Sequence, residues 1–222
     1  MLANLLSQLD RIYDLELEVE IEQFLISRET CHILAGEGTV GGTVIVHQGK
    51  EDEEIELGVY IGEETLARLD EIDEDELHLS NGLASDHFAA LCTAIEEVSH
   101  FAYLMWNAHR DKSVTQLELE LQAEVDKFVT SALLMARENG GRIPIKLLDR
   151  LFDDFDLRDG LDHSHRERYL TASSFARSYC SFLMRRFLSR SRVADLLAEL
   201  RYFYRLTQRG KIGHIYQTVY AA

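Results

Sequence analysis

From residue 85 to residue 209 the apolar side chains recur every three or four positions, and the whole chain contains one proline. A pattern of that length is buried when helices pack on one another, because each apolar stripe needs a partner surface. The spacing predicts helices over about 85–109, 113–138, 144–152, 162–189 and 192–209. The Asn139-Gly140-Gly141 run stops the second, and Gly210 closes the last.

The N-terminal part reads differently. Leu2, Leu5, Leu6, Leu9, Ile12 and Tyr13 mark a short amphipathic helix. The period then drops to two: Leu15, Leu17, Val19 and Ile21 alternate with Glu16, Glu18, Glu20 and Glu22, which predicts a half-buried strand with four carboxylates on its outer face. Further strands are expected at 31–35, 43–48 and 54–61, and a last one in the tail HIYQTVYAA; a short helix is expected at 63–70. The fold class is therefore α+β: a small N-terminal antiparallel meander of three or four strands followed by a predominantly α-helical bundle. The division is drawn at 1–82 and 83–222, within what is expected to be one continuous globular unit.

Charge is unevenly spread. The net charge is −16, yet residues 1–140 hold 30 acids against 8 bases and residues 141–222 hold 9 acids against 15 bases. An overall anion is a poor ligand for nucleic acid, since affinity for the backbone depends on neutralising phosphates. The basic C-terminal third is expected instead to meet the acidic part, within one chain or across a dimer. Arg201, Arg205 and Arg209 form a stripe on the last helix, and together with the Glu16–Glu22 row they are the candidate partner-binding residues. A protein partner or self-association is the expectation.

The N-terminus has no cationic region ahead of its apolar residues, and no stretch reaches the roughly 18–20 uncharged residues of a membrane span. Cys31, Cys92 and Cys180 are odd in number and far apart, which fits reduced thiols rather than a disulfide framework. A soluble, cytoplasmic protein is expected.

Chemistry is suggested where ionisable groups interrupt apolar faces. On 85–109 the face is Leu91, Ala94, Val98, Phe101 and Met105; Glu97 and His100 lie toward one border, and Glu96 lies further round. On 113–138 Glu124 falls inside the stripe and Glu120 at its edge. On 162–189 the stripe of Tyr169, Ala172, Ala176, Cys180, Leu183 and Phe187 is continued one turn earlier by His165. Glutamate followed three residues later by histidine is how bundle-type carboxylate centres draw two ligands from one helix. Glu97, His100, Glu124 and His165 would suit one divalent transition-metal ion, Zn, Fe or Mn. A buried Glu–His hydrogen bond and a metal-free acid–base pair of histidines are the alternatives.

Other motifs give less. GEGTVGG (36–42) has phosphate-loop spacing, but a strand rather than a helix follows it, and no kinase lysine or catalytic loop is present. Its glycines read as turn residues. No G-x-S-x-G elbow exists, and Ser99 cannot face His100 because adjacent helical residues diverge by 100°. The sequence thus favours a protein-interaction, regulatory or scaffold protein, with a small metal-dependent enzyme working at a Glu/His cluster between helices as the alternative.

Overall fold

The computed structural model describes residues 1–36, 41–48, 55–72, 86–144, 146–153 and 163–220. The chain is mostly helical, with one two-stranded antiparallel sheet among the described residues. Three long helices dominate: α4 (Asp86–Ala108), α5 (Gln116–Glu138) and α7 (His163–Arg186), with α5 packed against both of the others. The Thr115 hydroxyl accepts from the Glu118 N–H at 3.1 Å to start α5, and Gly140 and Gly141, both at positive φ, end it. Phe101, Leu121, Val125, Phe128, Ala176 and Leu183 belong to one buried cluster that extends from Leu2 to Ile215.

Helix α1 (Leu2–Tyr13) buries the leucines and the Ile12–Tyr13 pair that its spacing predicts. It ends at Asp14 in the left-handed region. The carbonyls left open at that end are taken by arginines 190 residues away in sequence. Arg201 donates to Ile12 O at 3.0 Å and Arg11 O at 3.1 Å; Arg205 donates to Tyr13 O at 3.0 Å and Asp14 O at 3.1 Å.

The meander shrinks to a hairpin. Strands β1 (Gly42–Gln48) and β2 (Ile55–Ile61) pair from Gly42↔Ile61 to Gln48↔Ile55. The expected strand over 15–22 is instead an extended, unpaired run that tightens into a 3-10 turn at Ile21–Phe24. Its alternation still sorts the side chains, burying Leu15 and Ile21 and exposing Glu16, Glu18, Glu20 and Glu22. Among the described residues a ladder is what is missing: Glu16 sits at φ 58, and just past the segment Leu25 bridges to Val59. A period of two reports a half-buried surface and cannot supply a neighbouring strand.

Two other expected strands are helical. Residues 31–35 lie in α2 (Arg28–Ala35), started by the Ser27 hydroxyl accepting from the Thr30 N–H at 3.1 Å. Five residues, four of them apolar, are too few to show a period, so the cap decides the element. The tail is α9 (Gln208–Ile215) followed by a π-helical turn at Tyr216–Tyr220. The helix expected over 192–209 is shorter, α8 (Val193–Tyr204), and Thr207 caps α9 so that Gly210 lies inside it. Short helices α3 (Glu63–Asp70) and α6 (Leu147–Phe152) complete the order. Among the described residues no helix is long and apolar enough to cross a membrane.

Candidate metal centre between α4 and α5

One flank of the α4–α5 seam gathers six ionisable side chains. A helical turn puts Glu96 and Glu97 on the side of His100, while Glu120, Glu124 and Lys127 share a face of α5. His100 is buried, at 8 % exposure. Its Nδ1 faces Glu97 Oε2 at 3.6 Å and its Nε2 faces Glu120 Oε2 at 3.8 Å. One donor atom each from Glu96, His100 and Glu120 falls within 4.8 Å of the other two. His100 Nε2 is buried and makes no hydrogen bond among the described residues.

The electrostatics follow from burial and acids. Burial pulls the His100 imidazole down, but Glu97, Glu120 and Glu96 together outweigh it and hold the group at about 9. Burial likewise pushes the Glu120 carboxyl up, against the opposing pull of His100.

Sequence and structure part company at Glu124. Its Oε1 lies 2.6 Å from Lys127 Nζ, which also reaches Glu96 Oε2 at 3.0 Å. Burial lowers Lys127, yet Glu124 and Glu96 more than reverse that and keep it charged. Of the four residues expected to converge, Glu97 and His100 do so, Glu124 turns to the lysine, and the side chain of His165, at the start of α7, lies outside the described residues. Glu96 and Glu120, rather than Glu124, stand beside His100. Their signals were legible: Glu96 is one full turn before His100, and Glu120 borders the α5 stripe. Lys127 was missed, although a lysine within AEVDKFV marks a charge that folding must pair.

A second polar cluster lies deeper. Asp126 accepts from Ser99 Oγ at 2.6 Å, from Gln122 Nε2 at 2.9 Å and from the Tyr13 hydroxyl. Burial raises Asp126 to about 6 against the pull of those donors. Tyr103 donates to Glu118 Oε1 at 2.5 Å. These bonds join α1, α4 and α5, and Lys211 of α9 adds a donor to Gln122 Oε1.

The expected partner-binding residues are dispersed. Arg201 and Arg205 cap α1, Arg209 is exposed, and the four glutamates are exposed on the unpaired run. Of GEGTVGG, residues 37–40 lie outside the described residues, and Gly42 opens a strand rather than a helix. The three cysteines are free thiols. No family model, curated protein or solved structure matches the chain.

Proposed function

We propose that the chain holds one divalent transition-metal ion, Zn, Fe or Mn, through His100 Nε2 and one carboxylate oxygen each of Glu96 and Glu120. A single observation supports this most: a buried imidazole nitrogen stands 3.8 Å from a carboxylate oxygen, too far for a hydrogen bond. Two donors about 2.0–2.2 Å from a common ion stand roughly 3–4 Å apart, so that separation suits shared coordination.

Each neighbour has a part. Glu97 Oε2 stands 3.6 Å from His100 Nδ1 and, with Glu120 and Glu96, favours the protonated ring, so a bound ion would take the place of the Nε2 proton. Lys127 anchors Glu96 through Oε2 at 3.0 Å. Three protein donors leave coordination open to water or substrate, which distinguishes catalytic from structural centres; a bound ion there would supply Lewis-acid chemistry. A metal-dependent enzyme is thereby favoured over a protein-interaction role, whose arginine stripe is largely engaged with the carbonyls of α1.

Titration of the purified protein with Zn²⁺ against a chromophoric chelator tests the reading. One equivalent should bind to the wild type and not to His100→Ala. Binding of no equivalent, or equal binding by the variant, would refute it.

A further inference from the structure

The glycines at the base of the hairpin do something that turn geometry does not require. Gly42, the first residue of β1, lies on α4 so closely that a Cβ there would stand 2.6 Å from Glu97 Cγ, 2.9 Å from its Oε1 and 3.0 Å from its Cδ. Real Cβ atoms do not approach that closely, so residue 42 must be bare while Glu97 keeps its place. The neighbouring residue Gly41 is also closely packed. Gly62 N donates to Gly41 O at 2.7 Å, and a Cβ on Gly62 would meet that same oxygen at 3.2 Å. Gly41 itself has φ 89. Pairing of Gly42 with Ile61 then ties the strand to β2, which is bridged to Leu25.

Glu97 is 3 % exposed, and beyond it lies His100 Nδ1. Glu97 therefore touches the Gly42 backbone and also stands 3.6 Å from His100 Nδ1, whose ring carries the unbonded Nε2. We infer that Gly42 is a positioning residue for the metal centre: the bare strand backbone seats the Glu97 carboxylate against His100 Nδ1 and so aims Nε2 at Glu96 and Glu120. This rests on the metal reading above. It gives the hairpin a task in ligand binding and accounts for glycine at 42 by close approach.

The test is a double-mutant cycle read by Zn²⁺ affinity, with circular dichroism confirming the fold. Gly42→Ala should weaken Zn²⁺ binding about 10- to 100-fold, the range for loss of an outer-shell partner. In a Glu97→Ala background the same change should cost almost nothing, because the atoms it would strike are gone. Equal binding by Gly42→Ala and wild type would overturn the positioning role while leaving the metal reading intact. An equal loss in both backgrounds would do the same. Absence of Zn²⁺ binding by the wild type would overturn both. A measurement on the unmutated residue 42 covers the case in which Gly42→Ala does not fold. The Gly42 amide resonance should shift on addition of Zn²⁺ to wild type and hold still in Glu97→Gln, and a still resonance in Zn²⁺-bound wild type would overturn the inference.

Discussion

Lys211 Nζ lies 2.6 Å from Gln122 Oε1 with no exposure to solvent, so α9 is tied to α5 through a buried ammonium. The same group donates to the carbonyls of Phe203 at 3.0 Å and Tyr204 at 3.4 Å, in the last turn of α8 where helical partners run out. The Phe203 ring stands 4.4 Å from it. Lys211→Met keeps the apolar stem and removes three donors. The acceptors left behind are buried, so the variant should lose about 3 kcal/mol in urea unfolding. A loss below about 1 kcal/mol would mean that water or relaxation satisfies them.

The same lysine predicts a pH dependence. Burial holds Lys211 down at about 7, against the opposing pull of Glu118 and Asp126. An unfolded lysine titrates near 10.4, so between these values the unfolded chain binds more protons and stability rises with pH. His100, held at about 9, works the other way: its contribution is full below about 6.5 and is lost as pH rises through 9. The difference between wild type and Lys211→Met isolates the lysine. That deficit should widen from pH 7 to pH 10 in thermal or urea unfolding, and a narrowing deficit would contradict the sign.

Lys127 separates stability from ligand binding. It is buried between Glu124 and Glu96, so Lys127→Met strands two carboxylates and should cost about 3–5 kcal/mol in chemical unfolding. Glu124→Gln alters the lysine pair and leaves the three proposed donors in place. Zn²⁺ affinity should then stay within about twofold of wild type, whereas Glu120→Gln should lower it by about tenfold or more.

The arginines of α8 make a parallel case. Arg201 and Arg205 each donate twice to carbonyls at or just beyond the end of α1, partly in contact with water. Replacement of either by alanine should cost about 1 kcal/mol and speed amide exchange in α1. Arg209→Ala, on an exposed position, should change stability by less than about 0.5 kcal/mol.

How far the sequence could be read follows from what each pattern encodes. The long 3.6-residue periods located α4, α5 and α7, because burying a stripe on a neighbour is a property of each helix alone. The Leu15–Ile21 alternation foretold burial correctly and pairing wrongly, since a ladder needs a second strand that no local pattern announces. The ExxH spacing found the Glu97–His100 pair, but of its expected companions Glu124 turns to Lys127. Which carboxylate turns to the imidazole depends on Lys127 claiming Glu124, a contest settled by packing between helices. The need for glycine at 42 was hidden for the same reason, as the atom it avoids belongs to residue 97.

Anomalous diffraction at the zinc edge from crystals grown with Zn²⁺ tests the central claim most directly. One peak is predicted, about 2.0–2.2 Å from His100 Nε2 and from an oxygen of each of Glu96 and Glu120. A map with no peak beside His100, or with zinc only at exposed carboxylates elsewhere, would contradict it.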